Sequence, residues 1–192
     1  MTVENSLRLF FALWPAPQVS KALSRQANLL RGSLRYGRVL RRAALHVTLA
    51  FIGEVPRKRL PLIQAVGQNQ QTGAFALILD EIRFYPKHRI CWMQPSQPPV
   101  ALMALARGLR ADLLTAGIEQ ETRPFRPHVS LLRNIHADAA ITAPPVTTVT
   151  PVRWQADAFV LVASLLLRDG AQYEILSRWS LPPSAPQEPL CR

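Results

Sequence analysis

Apolar residues recur along this chain with a period of two in some stretches and near 3.6 in others, and the changes between the two mark out its elements. Leu7 to Trp14 is a nearly unbroken apolar run of strand length. Pro17 to Arg31 places Val19, Leu23, Ala27 and Leu30 at helical spacing, with Gly32 as the stop. From Leu45 to Phe51 the period is two, with Leu45, Val47, Leu49 and Phe51 on one face and His46, Thr48 and Ala50 on the other, the mark of a half-buried strand. A helix over about Arg57 to Gln70 leads to a strand from Phe75 to Phe84, a turn at Tyr85, Pro86 and Lys87, and a returning strand from Arg89 to Gln94. Pro98 and Pro99 open a helix whose apolar face carries Met103, Leu105, Leu109 and Leu113 and which ends at Gly117. His128 to Arg133 predicts another strand. Ala143 to Pro151 reads as a Pro- and Thr-rich connection, followed by a hairpin of Ala158 to Leu167 and Tyr173 to Trp179 around Asp169-Gly170.

The order of elements repeats. Each half has a strand, a helix, a basic loop and a strand beginning at a histidine, with a hairpin later. The separations from Phe10 to His46 and from Trp92 to His128 are equal, which suggests Phe10 and Trp92 as matching positions. One domain over residues 1–181 is expected, with 182–192 a disordered Pro-rich tail.

Composition adds bounds. At 192 residues and 48% hydrophobic content the chain can bury a core without crosslinks. Its two cysteines, Cys91 and Cys191, form neither a disulfide framework nor a metal pattern, which fits a reducing compartment. Leu9 to Trp14 is too short for a signal peptide and no run reaches membrane-spanning length, so a soluble, cytoplasmic protein is expected, monomeric and with no membrane association. The net charge of +11 suits a polyanionic partner, but 20 of the 23 basic residues are arginine, a bias that genome composition can produce alone.

Position is more informative than total charge. Two of the four histidines open the same short pattern, His46-Val47-Thr48-Leu49 and His128-Val129-Ser130-Leu131. A given histidine meets that pattern by chance roughly 2 times in 100 at average composition, so two of four in matched halves outweighs the bland reading of both as ordinary strand residues. Residues i and i+2 of a strand project from one face, so each imidazole has a hydroxyl beside it. Two histidines supply a base and an acid near neutral pH, and the hydroxyls can donate to phosphate oxygens. Neither His88 nor His136 shows the pattern, and both read as surface residues. Arg31, Arg35, Arg38, Arg41 and Arg42 precede His46, while Arg123, Arg126 and Arg133 surround His128; guanidinium groups match phosphate geometry, and Arg133 is the strongest single candidate. Phe10, Phe11, Trp92 and Tyr173 are candidates for stacking on a base, with core packing the default for each. No Gly-rich phosphate loop, HExxH or GxSxG is present, and no cofactor or catalytic metal is indicated.

At these residues the chain resembles the 2H phosphoesterase superfamily, specifically its bacterial and archaeal RNA 2',3'-cyclic phosphodiesterases, also named 2'-5' RNA ligases. The likeness rests on Arg8-Leu9-Phe10-Phe11-Ala12, on Leu45 to Glu54 around the first motif, and on Arg123 to Arg133 around the second. It implies a bilobal, duplicated α+β fold in which two antiparallel sheets, related by pseudo-two-fold symmetry and flanked by outer helices, face a central cleft. It further implies metal-independent hydrolysis of a terminal 2',3'-cyclic phosphate on RNA to a 2'-phosphate, with His46 as proton donor, His128 as proton acceptor, and Thr48 and Ser130 on the phosphate. Ser130 departs from the commoner threonine but keeps the hydroxyl. Arg133, Phe11 and Tyr173 remain candidates for substrate binding. The alternatives are 2'-5' RNA ligation at the same site, a non-catalytic basic RNA-binding protein, and action on small cyclic nucleotides or ADP-ribose derivatives rather than RNA.

Overall fold

A computed structural model describes residues 6–33, 37–119, 123–135, 149–167 and 170–183. The first half runs β1 (Ser6–Leu13), α1 (Pro17–Ser33), a short β2 (Arg38–Val39), and β3 (Val47–Pro56), then α2 (Leu60–Gln68) behind a 3₁₀ turn at Arg57–Arg59. The second runs β4 (Phe75–Leu79), β5 (Glu81–Tyr85), β6 (Ile90–Gln94), α3 (Val100–Thr115), β7 (Val129–Arg133), β8 (Val152–Ala156), β9 (Ala158–Leu167) and β10 (Gly170–Ser180). These strands form three antiparallel sheets: β10-β9-β1-β3, β2-β7-β6-β5, and the pair β4-β8.

The helices bury the faces their spacing predicts. Val19, Leu23, Ala27 and Leu30 of α1 enter the core, and α1 packs against β2, β7 and β8. Leu105, Leu109 and Leu113 of α3 are fully buried, and α3 packs on β3 and α2. Met103 is 37% exposed, and Leu102, one position earlier, takes the core place expected of it. Gly67 of α2 lets the helix meet β10, since a Cβ there would lie 2.5 Å from Trp179 Cζ2.

Three expectations change. The single strand from Phe75 to Phe84 is broken at Asp80, whose carboxylate accepts from the Ser96 N–H and hydroxyl, both at 2.7 Å, so that β4 joins β8 and β5 joins β6. β8, unread in the sequence, carries the clear alternation Val152, Trp154, Ala156 on its buried side. The expected tail does not leave the fold at Pro182: Leu181 is buried and its N–H donates to Asp157 O at 2.7 Å, while Pro182 O accepts from Ala74 N at 2.7 Å. Residues 184–192, His136, Arg35, most of the 143–151 connection and Asp169 lie outside the described residues.

The largest departure lies in the motif strands. In β3, Phe11 pairs with Ala50 and Ala12 with Thr48, so Leu49 is an extra, bulged residue; a second bulge falls at Ile52. In β7, Cys91 pairs with Leu132 and Trp92 with Ser130, so Leu131 is bulged. The bulges at Leu49 and Leu131 each sit three residues after the motif histidine and reverse the alternation beyond them. Hence Phe51, expected in the core, is exposed while Ala50 and Ile52 are buried, and Arg133 is exposed while Leu132 is buried. By register Thr48 pairs with Ala12 and Ser130 with Trp92, so Phe10, matched to Trp92 on sequence separation, does not sit opposite the first motif's hydroxyl.

Candidate active site

His46 lies just before β3, after a 3₁₀ turn at Arg42–Ala44. That turn is braced by Arg42, which donates to Pro17 O at 2.9 Å and to the Ser20 hydroxyl at 3.3 Å, so this arginine is structural. The His46 ring stacks on Trp14 at 5.4 Å between centroids and 4° between planes, and meets Phe10 at 4.9 Å and Tyr173 edge-on at 5.3 Å. Phe10, Ala12, Val160 and Val162 form a small buried cluster, with Trp14 and Tyr173 packed on it. The carbonyl of Ala44 faces the imidazole, but Nδ1 is buried without a partner at hydrogen-bonding geometry.

His128 is held more firmly. Its Nδ1 lies 2.7 Å from Arg126 O, a contact that requires the proton on Nδ1 and leaves Nε2 with its lone pair. The ring lies against Trp92 at 4.0 Å and 30°, and Trp92 in turn meets Tyr85 at 3.9 Å. In both motifs the carbonyl addressed by the imidazole belongs to the residue two positions upstream.

Burial pushes the His46 imidazole down to about 4; the Ala44 carbonyl opposes this, while the charges of Arg133 and His128 add to it. His128 is also lowered, by burial first, opposed by the Arg126 carbonyl and assisted by Arg133. The two imidazoles and the Arg133 guanidinium thus share one electrostatic field, which together with burial keeps both rings neutral near pH 7.

A pocket of about 510 Å³ opens beside this group. Thr48 and Phe51 line it from β3, Tyr85 and Trp92 from β5 and β6, and Arg123, Phe125, Arg126 and His128 from the segment before β7, with His88 and Arg110 at its border. Thr48 is half-buried on this wall; Ser130 is half-buried opposite Trp92 and does not line the pocket. Arg110 donates to Arg123 O at 3.1 Å, tying the loop to α3.

The expected aromatics divide by strand alternation. Phe11 has no exposed surface and lies between Phe159 and Trp179 in the core, so it offers nothing to a substrate. Its neighbour Phe10 faces His46 instead, because adjacent strand residues point to opposite faces. Tyr173 touches both Phe10 and His46. Trp14, Phe51, Tyr85 and Phe125 were not singled out in the sequence; only Trp14, at the end of an apolar run, carried any local signal. His88 borders the pocket although it reads as a plain turn residue. Cys91 is buried on β6 with its thiol pushed up to about 12 by desolvation, which removes it as a nucleophile.

The model of the 2'-5' RNA ligase superfamily matches residues 17–166. The chain is 38% identical over 148 residues to the RNA 2',3'-cyclic phosphodiesterase of Escherichia coli, covering 76% of this chain and 80% of that protein. It is 29% identical over 185 residues to the protein of the same name from Thermus thermophilus, covering 91% and 90%. The crystal structure of E. coli LigT complexed with 3'-AMP superposes with a TM-score of 0.77 at 31% identity, covering 92% of this chain and 98% of LigT. A family match that spans most of the chain, with relatives alike in sequence over most of their length, places this protein in the 2'-5' RNA ligase superfamily.

Proposed function

We propose that this protein is an RNA 2',3'-cyclic phosphodiesterase, opening a terminal cyclic phosphate to a 2'-phosphate by two-histidine acid–base chemistry. The observation that carries this reading is that two copies of one motif, far apart in sequence, bring two imidazoles and Arg133 into one electrostatic field beside a pocket of nucleotide size. Relatives that bear the activity in their names and a neighbour complexed with 3'-AMP support it.

His128 acts as base. Its Nδ1 is committed to Arg126 O, so Nε2 is the nitrogen left to accept a proton from water. Water oxygen bonds to phosphorus, the P–O3' bond breaks, and O3' departs with a proton from His46, leaving the phosphate on O2'. Thr48 and Ser130 donate to the non-bridging oxygens, and Arg133 offsets their charge. Burial and Arg133 keep His46 neutral near pH 7, so the substrate must bring the conditions for its protonation. A bound phosphodiester anion counters Arg133 and restores the charged imidazole.

The duplicated architecture belongs to the same proposal. β1-α1-β3 and β6-α3-β7 are two copies of a unit within one domain over 1–181, facing each other across the site. In support, β1 pairs with β3 as β6 pairs with β7, both motif strands bulge three residues after the histidine, and each helix packs on the other unit's motif strand, α1 on β7 and α3 on β3. A cytoplasmic monomer is the simplest setting for this reading; no helix among the described residues is long and apolar enough to cross a membrane.

The test is direct. An oligonucleotide ending in a 2',3'-cyclic phosphate is incubated with the protein, with and without chelator, and the ends are analysed. A 2'-phosphate in both samples is expected; unchanged ends in both would sink the proposal. The superfamily's description supports a second reading, joining of a cyclic phosphate to a 5'-hydroxyl through a 2'-5' linkage. Supplying a 5'-hydroxyl oligonucleotide and looking for a longer product separates the two.

A further inference from the structure

A smaller pocket of about 90 Å³ adjoins the site on the His46 side. Ala44 and Tyr173, the residues that face and touch His46, form part of its wall, with Arg38, Arg41 and Arg133 around it. The large pocket is bounded by His128 and Thr48 instead, so the two cavities flank the histidine pair. At this volume the smaller one is well below the size of a nucleoside site and suits a single tetrahedral anion.

Its construction is specific. Arg38 of β2 is the register partner of Arg133 of β7, so two guanidinium groups leave the same face of adjacent strands. Like charges in directly opposed positions destabilise a sheet, and an anion between them offsets that cost. Gly37, at φ +143°, brings β2 against β7: a Cβ there would stand 3.1 Å from Ile135 Cγ1 and 3.2 Å from Leu132 Cδ2. Beyond β2, Leu40 N donates to Leu131 O at 2.9 Å, and the Arg42 brace follows Arg41. The segment carrying Arg38 and Arg41 is therefore fixed at both ends. Among the described lining residues none has a carboxylate, and Glu174 alternates away from Ala171 and Tyr173 on β10.

We propose that Arg38 and Arg41, with Arg133 between them and the histidines, bind the internucleotide phosphate immediately 5' to the cyclic end, a subsite that distinguishes an RNA chain from a free cyclic nucleotide. The proposal rests on the phosphodiesterase reading for the position of the cyclic end. It sorts the arginines before His46 by role, with Arg42 structural and Arg38 and Arg41 facing substrate.

Three substrates test it: a mononucleoside 2',3'-cyclic phosphate, a dinucleotide with the same end, and that dinucleotide with a neutral methylphosphonate linkage. The wild-type protein is expected to prefer the charged dinucleotide over the other two by about 10-fold in kcat/KM, mainly through KM, and Arg38→Gln to remove most of that preference. Equal treatment of charged and neutral dinucleotides by the wild type, or an equal fall on all three substrates in Arg38→Gln and in Arg41→Gln, overturns the subsite. If the wild type turns over none of them, the hydrolytic reading fails separately. Binding of a short RNA with a 2'-phosphate end then decides: Arg38→Gln should weaken it about 10-fold and reduce the slope of log K against log salt by about 0.7. An unchanged affinity and slope reject the subsite.

Discussion

His46 is wrapped by the rings of Phe10, Trp14 and Tyr173, whereas His128, among the described residues, stacks on the ring of Trp92 and opens onto the 510 Å³ pocket. One Nδ1 is tied to a carbonyl at 2.7 Å; the other faces a carbonyl without closing the bond. The same four-residue motif has been set in two unlike environments. A base gains from a fixed tautomer and an open approach for water, and His128 has both. Burial and the Arg133 charge lower both imidazoles, and the larger ring cage is that of His46, which suits an acid that stays neutral until an anion arrives. These unlike surroundings support the proposed division of labour, His128 as base and His46 as acid, which the motif leaves undecided.

The comparison breaks most directly at the rings themselves. His46→Ala and His128→Ala should each lower turnover of a cyclic-ended oligonucleotide by at least about 10²-fold, measured as kcat/KM. A variant that retains full turnover removes its histidine from the mechanism.

Next come the hydroxyls. Thr48 lines the pocket and Ser130 does not, so Thr48→Ala is expected to cost about 10-fold and Ser130→Ala less, in the same assay. Equal losses would mean that the two motifs hold phosphate equivalently and that the asymmetry is confined to the imidazoles.

A third measurement sharpens the contrast in protonation. In an NMR titration of the empty protein, His46 should stay neutral down to about pH 4, and Arg133→Gln should raise the titration points of both imidazoles. A His46 that titrates at its ordinary value would show that its ring cage does not desolvate it.

The smallest expected effect is on stability. Because the folded pKa of His46 is depressed below the unfolded value near 6.5, the unfolded chain takes up the proton first as pH falls. Stability is complete above about 6.5, declines toward pH 4, and stops declining through this group once both states are protonated. His128 acts in the same direction. Thermal unfolding followed across this window should show Tm rising with pH, with a shallower rise in His46→Gln; parallel curves would contradict the assignment.

Much of this protein was readable in advance because its strongest signals are local. The helical spacing of α1 and α3, the hairpins β5-β6 and β9-β10, and the twin His-x-hydroxyl-x strands all follow from side-chain periodicity, and the proposed His46, His128, Thr48 and Ser130 come from those strands. Of the elements that escaped, β8 carries a readable alternation, whereas the others depend on distant partners. β2 has two residues and exists only because β7 is beside it, and the strand over Phe75 to Phe84 divides because Ser96 meets Asp80. The site's wider membership was decided the same way. Unbroken alternation would turn Arg133 into the core and leave Leu132 beside His128 and Ser130; the bulge at Leu131 reverses them, as the bulge at Leu49 turns Phe51 outward. A bulge arises from how two strands meet, so no pattern within either strand announces it. The sequence by itself determined which groups the proposal assigns to the chemistry, since identity and local spacing suffice to single them out. Only the tertiary structure decided which rings enclose each imidazole and which arginine faces them, because those contacts are set by register between strands far apart in the chain.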